Sequence, residues 1–89
     1  MDISALRDKI NIIDLEILQK LRERMVVSKE IGLYKKKNNI LILDNKREEL
    51  LLKFLTNCEI KIFNDEKNEE FITELWNVIM KYSKKNQFI

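Results

Sequence analysis

Apolar residues recur at heptad spacing along the first two fifths of this chain, and only Lys20 and Arg24 interrupt the two neighbouring rows that they form. The apolar members of these rows are Ile3, Leu6, Ile10, Ile13, Ile17, Val27, Ile31 and Tyr34. Residues at this spacing share one face of an α-helix. The pattern predicts one long amphipathic helix that begins after a cap at Asp2 or Ser4 and ends near Asn38.

The remaining composition also favours helices. The 89 residues include no proline and one glycine, while 45% are hydrophobic and 36% are charged. This balance is typical of amphipathic helices and suits sheets and turns poorly. We expect a second helix from a cap at Asp44 to about Asn57, and a third from a cap at Asn64 or Asp65 to Gln87. The sequence therefore predicts an all-α fold of three helices in a single domain, residues 1–89.

The predicted first helix is much longer than its partners. At about 35 residues it extends about 50 Å, whereas a compact chain of this length has a radius of gyration of about 12 Å. The inward sides of the shorter helices are expected at Leu51, Phe54, Leu55, Cys58, Ile72, Leu75, Trp76, Ile79 and Met80. Because these cannot cover the whole apolar face, we predict an intertwined homodimer in which two first helices pair in antiparallel fashion.

Composition disfavours several classes of function. The net charge is +2 with both signs interspersed, so no nucleic-acid-binding face is expected. The single cysteine, Cys58, suits a reducing compartment. The amino terminus lacks a long apolar core, so neither a signal peptide nor membrane insertion is predicted, and a cytoplasmic location is expected. With no histidine and no metal-ligand cluster, we expect no metal, no cofactor and no nucleophile–base pair.

Two cations lie on the otherwise apolar face of the first helix. Arg24 and Lys35 are eleven residues apart, which places them on one face about 16 Å apart along the axis. A buried cation is costly without a partner, so we expect carboxylates from the protein or from a bound anion. The second helix offers Asp44 and Glu48, with Arg47 beside them.

Arg7 requires a second chain to join this group. It lies about 25 Å from Arg24 along a straight helix, too far to serve the same pocket within one chain. In an antiparallel dimer with its two-fold axis near Ile17 and Leu18, the partner's Arg7 lies opposite the interval between Arg24 and Lys35. The site would then be shared between subunits.

Four segments of the chain together resemble the all-helical (AroQ-type) chorismate mutases. They are LRDKI at Leu6 to Ile10, ERMVVSKEIGLYK at Glu23 to Lys35, the D-x-x-R-E run at Asp44, Arg47 and Glu48, and the S-x-x-x-Q ending at Ser83 and Gln87. They occur in order at matching intervals over nearly the whole chain, apart from one residue in the loop before the third helix. Relatives often carry a proline shortly before the D-x-x-R-E run, and this chain has none.

The resemblance implies an isomerase that rearranges chorismate to prephenate, on the route to phenylalanine and tyrosine, without a cofactor. Lys35 and Gln87 would donate hydrogen bonds to the ether oxygen of the substrate. Arg24 and the partner's Arg7 would hold the two carboxylates, and Ser83 would assist at one of them. Because a glutamine donates at any pH, we expect a nearly flat pH dependence of kcat/KM from about pH 6 to 8.

The resemblance also implies roles for the second helix. Glu48 would accept a hydrogen bond from the substrate hydroxyl, aided by the backbone near Asp44, and Arg47 would orient Glu48. Taken singly these residues have ordinary explanations: Asp44 as a helix cap, Arg47 and Glu48 as a solvated face, and Arg24 as a polar register residue of a coiled coil. Their joint occurrence favours a site.

Two alternatives remain open at this stage. An isochorismate pyruvate-lyase on the same scaffold would use nearly the same charged pocket. A helical regulatory or dimerisation module with little activity, docked on a larger enzyme of the same pathway, would need the fold alone.

Overall fold

Three helices make up the described chain. The computed structural model describes residues 2–63 and 68–88, and for residues 59–63 it describes the backbone alone. Helix α1 spans Ile3–Lys37, α2 spans Asn45–Phe63 and α3 spans Glu69–Gln87. No strand occurs within these ranges. The predicted all-α chain with a long first helix is confirmed.

Local hydrogen bonds set both ends of α1. Asp2, rather than Ser4, is the N-cap, and its Oδ1 accepts a hydrogen bond from the backbone N–H of Ala5 at 2.8 Å. Asn38 is the C-cap, close to the predicted end. Asn39 follows with φ of 57°, a left-handed conformation that asparagine tolerates better than most residues. The chain therefore turns out of α1 without needing a glycine.

The second helix begins where predicted and ends later. Asp44 Oδ1 accepts a hydrogen bond from the backbone N–H of Arg47 at 3.0 Å, which caps α2. The predicted end near Asn57 is wrong, because α2 continues to Phe63. Residues 58–63, CEIKIF, contain no glycine or proline that would stop a helix.

The predicted caps of the third helix, Asn64 and Asp65, lie outside the described residues. The described α3 begins at Glu69. It packs against both α1 and α2, whereas the described parts of α1 and α2 do not pack directly on each other. Ser28 meets Ser83 and Gly32 meets Gln87, so α1 and α3 run in the same direction.

The core of a single chain is small. Among the described residues, only Met80, Ser28 and Gly32 are buried. Most of the predicted inward residues of α2 and α3 are half-buried, but Phe54 is 63% exposed and Leu75 is 38% exposed. The assignment of these two residues to the inward side is therefore wrong within one chain. The apolar row of α1 is also exposed, from 62% at Ile3 to 43% at Ile31. One chain therefore leaves most of the α1 stripe uncovered.

The shape is elongated, with principal extents of 55 × 26 × 17 Å and a radius of gyration of 16.3 Å. A compact domain of this length has a radius of about 12 Å. The difference arises because α1 extends beyond the region that α2 and α3 cover. No helix in the described ranges combines the length and apolar character needed to cross a bilayer.

Candidate active site

A charged pocket of about 280 Å³ lies where the second half of α1, the start of α2 and the end of α3 converge. The volume is near the lower limit for small-molecule sites, about 300 Å³. Apolar walls come from Ile31, Ile42, Leu51 and Met80. The structure brings seven of the eight residues predicted from the sequence to this pocket: Arg24, Lys35, Asp44, Arg47, Glu48, Ser83 and Gln87.

Lys35 of α1 and Gln87 of α3 contact each other in the pocket. Lys35 Nζ donates to the Ile42 carbonyl oxygen at 3.1 Å and to Gln87 Oε1 at 3.2 Å. An ammonium group has three hydrogens, so one is left to donate to a ligand. Because the amide oxygen of Gln87 accepts from Lys35, the amide nitrogen is also left to donate. Both side chains are thus oriented before any ligand binds.

Arg24 carries a charge that the surrounding protein does not compensate. Burial lowers the pKa of its guanidinium from the ordinary value, and the nearby charge of Arg47 lowers this pKa further. No carboxylate from the described parts of the chain lies within ion-pair distance of Arg24. An anion bound between the two guanidinium groups would remove this electrostatic cost.

A comparison with known protein families identifies the family to which the chain belongs. The family model for chorismate mutase type II matches residues 6–88, a range that contains all eight predicted site residues. The chain belongs to the type II chorismate mutase family. The resemblance found in the sequence is confirmed.

Two curated relatives of this chain are bifunctional chorismate mutase/prephenate dehydratases from Buchnera aphidicola. The protein from subspecies Baizongia pistaciae is 37% identical over 79 residues, covering 89% of this chain and 20% of its own length. The protein from subspecies Schizaphis graminum is 38% identical over 82 residues, covering 92% of this chain and 20% of its own length. The chain thus spans about one fifth of these relatives. No solved structure matches the chain with statistical significance.

Lys84 is a residue of the pocket that sequence reasoning missed. Its Nζ lies 3.0 Å from Glu48 Oε1, and the two side chains are 32% and 27% exposed. The pair joins α3 to α2 within the pocket. A signal was present, since Lys84 precedes Gln87 by three residues and therefore lies near the same helical face, but many exposed lysines in this chain have such spacing.

The pocket is positive overall. The cations Arg24, Lys35, Arg47 and Lys84 and the carboxylates Asp44 and Glu48 line it, so four positive and two negative charges leave a formal charge of +2. Among the described residues, no His, Cys, Asp or Glu cluster could hold a metal ion. The arrangement suits a small organic dianion.

Ser83 makes hydrogen bonds within the protein as well as lining the pocket. Ser28, only 3% exposed, donates from Oγ to the Ser83 carbonyl oxygen at 2.8 Å, and the two hydroxyl oxygens are 2.7 Å apart. Because the Ser28 hydroxyl hydrogen points at the Ser83 carbonyl oxygen, Ser28 Oγ accepts a hydrogen bond from the Ser83 hydroxyl. For Ser83 to donate to a ligand, this hydroxyl must turn away from Ser28.

Arg7 is the predicted site residue that the chain does not bring to the pocket. Helix α1 is continuous over Ile3–Lys37, so seventeen residues separate Arg7 from Arg24, about 25 Å along the axis. Within one chain this residue cannot contact a ligand bound between Arg24 and Lys35.

Proposed function

We propose that this protein catalyses the rearrangement of chorismate to prephenate. The observation that carries the proposal is the 3.2 Å contact of Lys35 with Gln87, in a pocket with a formal charge of +2, in a chain that belongs to the type II chorismate mutase family. Both side chains keep a hydrogen-bond donor for a ligand. Chorismate carries two carboxylates and an ether oxygen, which match the cations and the two donors.

The reaction needs no exchange of protons or electrons with the protein. The carbon–oxygen bond of the ether breaks while a carbon–carbon bond forms within the same molecule, and every atom is retained. The enzyme has to hold the flexible dianion in its reactive conformation. It also has to stabilise the negative charge that develops on the ether oxygen.

Lys35 and Gln87 supply that stabilisation in the proposed mechanism. The remaining hydrogen of the Lys35 ammonium and the amide N–H of Gln87 both donate to the ether oxygen. Each preorganised donor contributes about 3 kcal/mol in the transition state. Their mutual contact fixes both groups beforehand, so little reorganisation is needed at the moment of reaction.

The other polar residues bind and orient the substrate. Arg24 pairs with one carboxylate, and Ser83 turns its hydroxyl to assist at a carboxylate. Glu48, which pairs with Lys84, accepts a hydrogen bond from the substrate hydroxyl. Arg47, which also lines the pocket, orients Glu48 in this proposal. The backbone beside Asp44, at the start of α2, assists Glu48.

The functional unit in this proposal is an intertwined homodimer. The chain exposes 7791 Å² of surface, about 2,200 Å² more than the roughly 5,500 Å² of a compact monomer of 10.8 kDa. An obligate dimer interface covers an area of this order per subunit. A second groove of about 540 Å³ between α1 and α3, mostly apolar and lined by Ile13, Ile17, Leu21, Leu75, Trp76 and Ile79 among others, offers a place for the partner's α1.

The dimer also supplies the missing arginine. With the two α1 helices antiparallel about an axis near Ile17 and Leu18, the partner's Arg7 lies opposite residue 28. It is then between Arg24 and Lys35, where it pairs with the second carboxylate. Each dimer has two such sites, and each site needs both chains.

Loss of the ultraviolet absorbance of chorismate tests the activity directly. The purified protein is expected to consume chorismate, and Lys35→Ala and Gln87→Ala are each expected to lower kcat by about a hundredfold or more. Lys81→Ala, an exposed lysine of α3 outside the pocket, is the matched control and should retain wild-type activity. Pyruvate release from isochorismate with no turnover of chorismate would replace this function with the lyase, and no turnover of either would favour a binding module.

A further inference from the structure

The glycine of α1 lies at an unusual position for this residue. Gly32 is the only glycine in the chain, and it occupies the interior of a continuous helix, where glycine is among the least favourable residues. Its φ is not positive, so the backbone conformation does not require it. A different cause must explain a glycine there.

The cause is a close approach between α1 and the end of α3. A Cβ atom at position 32 would lie 2.5 Å from Gln87 Cα and 2.6 Å from the Gln87 carbonyl oxygen. Carbon atoms in good contact are about 3.5–4.0 Å apart. Because both atoms belong to the backbone, no change of rotamer relieves the overlap, and any side chain larger than hydrogen must push the end of α3 away.

That displacement would act directly on the two donors. Gln87 is the last residue of α3, and its amide oxygen lies 3.2 Å from Lys35 Nζ. Lys35 itself follows Gly32 by less than one helical turn. One turn earlier, Ser28 and Ser83 hold α3 to α1 through two hydrogen bonds. The shift would therefore be largest at the final turn of α3, which carries Gln87.

We propose that Gly32 is a positioning residue of the active site. Its lack of a side chain lets the end of α3 approach α1 closely enough for the Gln87 amide to meet Lys35 and to donate to the ether oxygen. The catalytic part of this inference rests on the proposed function. The steric part, the contact of Gly32 with the Gln87 backbone, does not depend on it.

A double-mutant cycle between Gly32→Ala and Gln87→Gly tests the catalytic part. In the wild-type background, Gly32→Ala is expected to lower kcat by about a hundredfold, the order of loss for a 1 Å misplacement, and to change KM by less than about threefold. In the Gln87→Gly background the donor is already absent, so Gly32→Ala should change kcat by less than about twofold. Lys29→Ala, on the exposed side of the same helix, is the control and should leave kcat unchanged.

The melting temperature gives a second, independent reading. Gly32→Ala should lower it although alanine is the better helix former, and Gly32→Leu should lower it further, because a larger side chain displaces the end of α3 more. This comparison remains decisive if Gly32→Ala alone folds poorly, or if the wild-type protein fails to turn over chorismate and the proposed function falls. An equal loss of kcat in both backgrounds would overturn the catalytic part, and a melting temperature of Gly32→Ala equal to or above that of the wild type would overturn the steric part.

Discussion

At the scale of single residues, the site depends on groups that orient one another. Lys35 donates a hydrogen bond to the Gln87 amide oxygen, and Lys84 forms an ion pair with Glu48. The hydroxyl groups of Ser28 and Ser83 are hydrogen-bonded to each other. Burial lowers the pKa of Arg24, and the charge of Arg47 lowers it further. A cation whose pKa is lowered on folding opposes folding as long as it is charged. This cost recedes only toward the high pH at which arginine titrates, so it gives no pH dependence near neutrality.

The pH profile of kcat/KM follows from these donors. We expect it to be nearly flat from about pH 6 to 8, because none of the proposed groups has an ordinary pKa in that range. Gln87→Glu should shift the optimum toward acid, because the glutamate donates only when protonated and the Lys35 ammonium, 3.2 Å from the present amide oxygen, would favour its charged form. Initial rates across this range for both proteins are the measurement, and a bell-shaped wild-type profile centred near neutrality would contradict the assignment.

Lys84 provides a test of the ion pair that the structure adds to the site. Lys84→Met should lower kcat/KM by about tenfold, because Glu48 loses the partner that orients it toward the substrate hydroxyl. The free energy of unfolding should fall by at most about 1 kcal/mol, since the pair is partly exposed. The matched control is Lys81→Met, and an unchanged kcat/KM in Lys84→Met would show that Glu48 does not depend on this lysine.

At the scale of elements, the start of α2 combines a structural role with a place in the site. Asp44 caps the helix by accepting from the Arg47 backbone N–H, and it also lines the pocket. The cap fixes the direction in which α2 leaves the loop, and therefore where Arg47 and Glu48 lie. This is why a helix boundary and two site residues fall within five positions of one another.

Two substitutions test the capping role of Asp44. Asp44→Ala should lower the free energy of unfolding by about 1 kcal/mol through loss of the cap, whereas Asp44→Asn, which caps equally well, should leave it nearly unchanged. Chemical denaturation of both variants measures this difference. If Asp44→Asn is as destabilised as Asp44→Ala, the charge rather than the cap stabilises α2.

At the scale of the whole molecule, one chain leaves most of the apolar stripe of α1 exposed. Its radius of gyration of 16.3 Å, its exposed apolar stripe on α1 and the distance of Arg7 from the pocket all support the homodimer that we propose. In that proposed dimer, the antiparallel pairing that covers the stripe would also place the partner's Arg7 beside the pocket. Stability and activity are therefore expected to depend on protein concentration together.

Subunit mixing tests the shared site. Arg7→Ala and Arg24→Ala should each be nearly inactive, but unfolding and refolding an equal mixture should recover roughly a quarter of wild-type activity, since half of the dimers are hybrids with one complete site. Each variant refolded alone is the control. Failure to recover activity, with dimers verified by sedimentation, would mean that each chain builds its own site.

The sequence by itself determined the helices and most of the pocket residues. Heptad spacing, caps such as Asp44 and the absence of proline act over a few positions, so the pattern of residues reports them directly. The same locality explains the errors. No glycine or proline after Asn57 marks an end of α2 there. The exposure of Phe54 depends on how the helices pack against one another.

The tertiary structure alone decided which distant residues meet. Lys84 contacts Glu48 across 36 positions of sequence, and Gly32 contacts Gln87 across 55. Periodicity tells which face of a helix is apolar, but the contact between two helices also depends on their crossing and on how closely their backbones approach. The roles of Lys84 and Gly32 therefore follow from the approach of the helices and not from the sequence pattern.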